Sequence, residues 1–289
     1  MIQEGNNIKI LLFLIILYIP DLIEKSAFSY FALTLALSFI ISFLSYKLRF
    51  LSLKGAFAIF LLASIIFGLG GLKWTIPILV FFIFSSLLSR MKRRNFETSG
   101  RLLEKYSPRN HKQVFANGGF GGLLVILNFF FPSQLFYISF VSSIAAVCAD
   151  TWATEVGTTF KAKTVDILSF KIVEQGISGG ISFTGTFAGL TGAAVIAVSS
   201  IFWLNMKHFY YIIFIIFAGI IGNFSDSILG SSVQAKYKCT ECFQTVENSF
   251  HCGKPAVLTK GFKYINNDVV NFATAVIGGL FGFLFIEIF

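Results

Sequence analysis

Leu135-Phe136-Tyr137-Ile138-Ser139-Phe140-Val141-Ser142-Ser143-Ile144-Ala145-Ala146-Val147-Cys148-Ala149 carries no charge, and it leads into Asp150-Thr151-Trp152-Ala153-Thr154-Glu155-Val156-Gly157. The uncharged run reads as a membrane helix, which puts Asp150 where that helix leaves the hydrocarbon. An ionisable residue at this depth is costly, and it is a functional candidate by default. Similar polar clusters recur at Gly179-Gly180-Ile181-Ser182-Phe183-Thr184-Gly185-Thr186, Gly222-Asn223-Phe224-Ser225-Asp226-Ser227 and Asn266-Asn267-Asp268-Val269-Val270-Asn271. A fifth, Asn117-Gly118-Gly119, follows a basic loop.

Composition fixes the class. Hydrophobic residues make up 55% of the chain and charged ones 13%, about half the charge of a soluble domain. Apolar stretches long enough to cross a ~30 Å core recur along its length. The expectation is an all-α polytopic membrane bundle. The alternating pattern of an outer-membrane barrel is absent. The first apolar run is followed by Pro20-Asp21 rather than a small-residue cleavage site, so no cleavable signal is read. The formal charge of +9 reports loops held on the cytoplasmic side. No recognition module accompanies it, so nucleic acid is not an expected partner.

Apolar windows predict about nine transmembrane helices, near 8–24, 27–46, 54–70, 73–89, 114–131, 134–150, 182–203, 208–229 and 267–288. Gly70-Gly71, Pro132-Ser133 and Asn205 punctuate the tight hairpins. With the N-terminus cytoplasmic, roughly 20 of the 23 basic residues fall on the inner side, as the positive-inside rule requires. The expected arrangement is one integral domain over 1–289 in the cell membrane. It comprises N-terminal helices (1–90), a basic cytoplasmic loop (91–113) and candidate catalytic helices (114–289) with a Cys-rich cytoplasmic loop (230–263). This topology sends all five polar clusters to the cytoplasmic boundary, as one site open to lipid.

Asp150, Asp226 and Asp268 supply hard oxygen ligands from three helices, with Glu155 nearby, a set suited to Mg²⁺. The glycine-rich turn before the helix at 182 offers free N–H groups to phosphate oxygens. Gly185-x-x-x-Gly189 also fits ordinary helix packing. Arg109 and Lys112 are placed to neutralise a phosphate, while Lys92 to Arg94 read as topology determinants touching headgroups. Cys239-x-x-Cys242 followed by His251-Cys252 has enough ligands for a structural zinc site, against the alternative of reduced cytosolic thiols. Cys148 reads as a small packing residue, His111 and His208 as interface residues, and Trp152 as an anchor at headgroup level. There is no Walker motif, dinucleotide fingerprint or Ser-His-Asp arrangement.

At Gln113–Gly118, Ala149–Gly157, Gly179–Thr186, Gly222–Gly230 and Asn267–Asn271, the sequence resembles the membrane family that contains the plant phytyl-phosphate kinase and an animal transmembrane protein. More distantly it resembles the CTP-using dolichol and phytol kinases and CDP-diacylglycerol synthases. The resemblance implies CTP or another nucleoside triphosphate as donor and an isoprenoid monophosphate lipid as acceptor. On this reading Asp150, Asp226 and Asp268 hold Mg²⁺, with Glu155 secondary. Asn117, Gly180, Ser182, Gly185, Thr186, Asn223, Asn267 and Asn271 hold phosphate or nucleotide, and Arg109 and Lys112 supply positive charge. The alternatives are a CTP:lipid-phosphate cytidylyltransferase, which needs the same ingredients, and a polar-lipid transporter. A transporter would spread its polar groups around the midplane and show repeats.

Overall fold

The computed structural model describes residues 27–98, 108–160, 162–204 and 210–288. The expected span 8–24, the loop stretch 99–107, Lys161, Lys207 and His208 lie outside these residues. Six helices within them are long and apolar enough to cross a membrane. The chain is an integral, multi-pass, mostly helical membrane protein.

Helix α1 spans Ala27–Lys47, and α2 spans Leu53–Thr98 with a non-helical break at Gly71 (φ 65°). A straight helix would put Ser52 and Ser89 about 55 Å apart. Instead the Ser52 N–H donates to the Arg109 carbonyl at 3.0 Å, while Arg109 Nη2 donates to Ser89 Oγ at 3.3 Å. The helix therefore doubles back, and the positive φ at Gly71 is the kind that glycine adopts without steric cost. Leu62 and Ile78, one from each arm, both face Gly118.

Helix α3 spans His111–Phe130 and starts at a capping box. Asn110 Oδ1 accepts from the Gln113 N–H, and Gln113 Oε1 accepts from the Asn110 N–H, both at 3.1 Å. Helix α4 spans Gln134–Thr159, nine residues beyond its expected end at 150. Residues 150–156 contain no Gly or Pro, so nothing in the chain stops the helix at Asp150. It ends where Gln175 Nε2 donates to the Gly157, Phe160 and Ala162 carbonyls. Within this extension Trp152 packs against Phe84 and Gly192.

Strand β1 (Thr164–Asp166) pairs antiparallel with β2 (Gly180–Ser182), which leads into α5 (Phe183–Ser199). At 17 residues, α5 is about 26 Å long, at the lower limit for a membrane-crossing helix. Helix α6 spans Tyr210–Ser232, and α7 spans Asn267–Ile288. Between them lie β3 (Lys236–Lys238), β4 (Thr245–Val246), β5 (Phe250–His251), β6 (Lys254–Pro255) and β7 (Val257–Lys260). They form a sheet in the order β4-β3-β7 and a β5-β6 hairpin. The all-α expectation is corrected to this extent: the loops after α4 and α6 carry small antiparallel pieces.

Helix α4 is the axis of the bundle, buried from Tyr137 to Ala149. Close approach depends on small residues. A Cβ placed on Gly222 or Gly278 would lie 2.3 or 2.4 Å from the Ala146 Cβ. At one end of the bundle Trp74 packs on Tyr137 and Phe140. Toward the other end, Ser89 and Lys92 meet Glu155.

Candidate active site at one end of the bundle

The ends of α1 to α7 that carry the polar clusters enclose one cavity of about 2080 Å³. Ordinary ligand pockets run to about 1000 Å³. Asp150, Glu155, Asp226, Asp268, Arg109, Asn117, Gly180, Ser182, Gly185, Thr186, Asn223, Asn267 and Asn271 all line it. Lys112 does not line it. It is exposed on the first turn of α3, within electrostatic reach of Asp268.

The three aspartates do not form one cluster. Asp150 of α4 and Asp226 of α6 are in side-chain contact, and Thr274 Oγ1 donates to Asp226 Oδ1 at 3.0 Å. Two ionised carboxylates in contact repel, and a cation between them removes that repulsion. Their hard oxygens fit a magnesium ion. Asp268 lies apart, near Lys112 and His111. Asn271, one turn further along α7, donates to Asn117 at 3.4 Å, which holds the start of α7 toward α3.

Glu155 already has partners. Lys92 Nζ lies 3.2 Å from Oε2, and Ser89 Oγ donates to Oε1 at 2.6 Å. Arg109 reaches this group through Ser89. Burial disfavours the Arg109 charge, and the Glu155 carboxylate opposes that effect. Lys92, expected at the headgroups, is thus a buried partner of a cavity carboxylate.

Ser182 caps α5, accepting from the Gly185 N–H at 3.2 Å. Gly185 and Gly189 pack against α4: added Cβ atoms would lie 2.9 Å from the Ala153 carbonyl oxygen and 3.0 Å from that of Ala149. The packing reading of this small-residue pair holds, while the turn before it faces the cavity. Gly179 has φ +88° and lies against Ser231.

The sequence did not mark Arg49, Arg90, Glu174, Ser178 or Glu247, all of which line the cavity. Ser178 Oγ donates to Glu247 Oε1, accepts from Gln234 Nε2 at 2.8 Å, and its carbonyl accepts from Lys236 at 2.7 Å. Asp166 is also unmarked. It accepts from the Leu168 and Ser169 N–H groups and from the Ser169 and Ser231 hydroxyls. Burial would raise its pKa, but these bonds outweigh burial and bring it down to about 2.

Cys239, Cys242, His251 and Cys252 place one ligand atom each within 4.8 Å of one another. Among the described residues this is the only cluster of three or more His, Cys, Asp or Glu side chains placed to share an ion.

The integral membrane protein family DUF92 matches residues 36–279. The chain belongs to this family. Protein VTE6, chloroplastic, of Arabidopsis thaliana is 26% identical over 239 residues, covering 81% of this chain and 65% of VTE6. This chain therefore spans just under two thirds of that relative's length. The membrane protein MJ0933 of Methanocaldococcus jannaschii is 29% identical over 239 residues, covering 82% and 87%. Protein PGR of Arabidopsis thaliana is 27% identical over 271 residues, covering 83% and 91%. No solved structure matches the chain.

Proposed function

We propose that this DUF92 protein transfers the γ-phosphoryl group of a nucleoside triphosphate, CTP or another, to a membrane isoprenoid monophosphate. The acceptor oxygen bonds to the γ-phosphorus as the bond to the β-bridging oxygen breaks, releasing nucleoside diphosphate and prenyl diphosphate. The acceptor phosphate is largely dianionic near neutrality, with a second pKa of about 6, so no strong base is needed. Catalysis can rest on positioning and charge neutralisation.

The observation that carries this reading is the Asp150–Asp226 contact inside a cavity of mixed charge. The lining contains four basic residues, Arg49, Arg90, Lys92 and Arg109, against six acidic ones, Asp150, Glu155, Glu174, Asp226, Glu247 and Asp268. Lys92 and Arg109 already serve Glu155. A triphosphate could not be neutralised by such a wall alone. Asp150 and Asp226 would hold Mg²⁺, which supplies the missing charge when bound. The Gly179–Thr186 turn, Asn117, Asn223, Asn267 and Asn271 would hold phosphates and nucleotide, with Arg109 in support. An apolar cleft lined by Leu62, Ile66, Ile78 and Phe82 shares Arg109, Gln113 and Asn117 with the polar cavity. At about 80 Å³ it has room for the first isoprene unit of the acceptor. The sequence resemblance to the family containing the plant phytyl-phosphate kinase supports the same chemistry.

The basic loops gather at the cavity end, so the reading places this end at the cytoplasmic face of the cell membrane, with nine crossings and the N-terminus inside. The test is incubation of purified protein with labelled CTP or ATP and a panel of prenyl phosphates. Prenyl diphosphate is the expected product. A cytidylylated lipid with pyrophosphate release would replace the kinase reading by a cytidylyltransferase, and no product with any acceptor would sink both.

A further inference from the structure

The 236–260 segment buries little apolar surface: Tyr237 and Cys239 are its only buried hydrophobic residues. Its strands are two to four residues long, and Phe243, Phe250, Val257 and Leu258 are all exposed. A module with so small a core is of the kind that a covalent or metal staple stabilises. Its two turns face each other. In the first, Cys239 N–H donates to the Gln244 carbonyl at 3.0 Å, and the Glu241 N–H points at Cys239 Sγ at 3.4 Å. Phe243, directly after Cys242, takes φ 55°. In the second, Cys252 takes φ 50° and Gly253 φ 74°, a strained corner that turns the adjacent His251 and Cys252 side chains toward one point. Left-handed non-glycine residues cost energy and persist where the surroundings over-determine them.

His251 Nδ1 lies 3.5 Å from Cys242 Sγ and 3.2 Å from Cys252 Sγ. Ligand atoms around a tetrahedral zinc with Zn–S near 2.3 Å sit about 3.8 Å apart. The two His251 contacts are within a few tenths of an ångström of this spacing, and the widest of the remaining pairs, bounded at 4.8 Å, closes by at most about 1 Å. A disulfide would join two of the thiols and leave the third beside the imidazole with nothing to bind.

We infer that Cys239, Cys242, Cys252 and His251 Nδ1 bind one structural zinc ion, and that this site builds a wall of the cavity. Gln244, Val246, Glu247, Asn248 and Gly253 line the cavity from between and beside the ligands. Glu247 is tied to Ser178, next to the Gly179–Ser182 turn. Zinc therefore holds Glu247 against the segment that carries the proposed phosphate-binding turn. A catalytic role for this cavity rests on the proposed function. The metal site and its coupling to Ser178 stand on geometry.

The test uses the full chain in detergent, without substrate. Metal analysis should find about one zinc per chain, lost in both Cys242→Ser and His251→Ala. Chelation should speed amide hydrogen exchange at least tenfold within 239–253 and also at 178–180. Glu247→Ala, which removes the acceptor for Ser178 Oγ, should keep the zinc and speed exchange at 178–180 only. Zinc-free protein from zinc-supplemented cells, or a Cys242–Cys252 disulfide, would overturn the site. Unchanged exchange at 178–180 after chelation would overturn the coupling. Since no turnover is measured, either failure is distinct from failure of the phosphotransferase reading.

Discussion

Lys92 at the cavity end of the α2 hairpin and Glu155 on α4 form an ion pair of 3.2 Å, with only 9% and 16% of their side chains exposed. The pair clamps the hairpin to the helix that also carries Asp150. Removing one member leaves a desolvated charge unpaired, which typically costs about 3–5 kcal/mol. Glu155→Gln and Lys92→Met should each lower the thermal midpoint of the detergent-solubilised protein. The double variant should recover much of the loss. Equal midpoints for wild type and both single variants would show that the pair contributes nothing to stability.

The aspartates should separate by position. Asp150→Asn and Asp226→Asn should each abolish product formation while the protein remains folded, because Asn keeps one oxygen but removes the charge that retains a hard divalent ion. Asp268→Asn should be milder, raising the substrate KM more than it lowers kcat, since Asp268 faces Lys112 and His111 rather than the pair. Steady-state kinetics over a Mg²⁺ series checks this. Near-normal turnover by Asp150→Asn at low Mg²⁺ would remove the metal assignment.

Much of this was legible in the sequence because hydropathy reports depth. The helix positions from α1 onward and the gathering of polar clusters at one end follow from apolar run lengths and loop charge. Lateral placement was not legible. Asp268 shares its depth with Asp150 and Asp226, but nothing in a one-dimensional pattern says which helix ends adjoin, and the Asn117–Asn271 bond sets that. Lys92 was misplaced because loop charge counts treat every basic residue alike. The end of α4 was set too early because hydropathy sees where a helix leaves the hydrocarbon but not where its hydrogen bonding stops. The cysteine cluster was legible because ligand spacing is a local property.

Helix packing around α4 should be intolerant of side chains at its closest crossings. Gly222→Ala puts a Cβ 2.3 Å from that of Ala146, and overpacking of this kind typically costs about 1–3 kcal/mol. The expected readout is a lower thermal midpoint, with an Ala146→Gly change in the same chain restoring part of it. No change in midpoint for Gly222→Ala would mean that α4 and α6 can move apart freely.

Orientation is checked by thiol labelling. Lys171→Cys in the exposed turn between β1 and β2 should react with an impermeant reagent only from the cytoplasmic side. Phe131→Cys, exposed between α3 and α4, should react from outside. The modified peptides are identified by mass so that native thiols do not interfere. Labelling of Lys171→Cys from outside would invert the topology and move the cavity to the other face.

Asp166 ties the β1–β2 turn to α6 through Ser231, and this link should fail in acid. Its pKa is brought down from 3.8 to about 2 in the folded chain. Protonation is therefore easier in the unfolded chain than in the folded one, and the ionised carboxylate stabilises the fold above pH 3.8. That contribution falls away as the pH drops from 3.8 toward 2, below which it is gone. Asp166→Asn removes the titration and substitutes an amide that can accept fewer of the four hydrogen bonds. The variant should be less stable than wild type at neutral pH. The gap should narrow between pH 4 and 2, read as thermal midpoints or as hydrogen exchange in residues 164–169. A gap that stays constant across this range would show that the Asp166 charge has no part in holding the turn to α6.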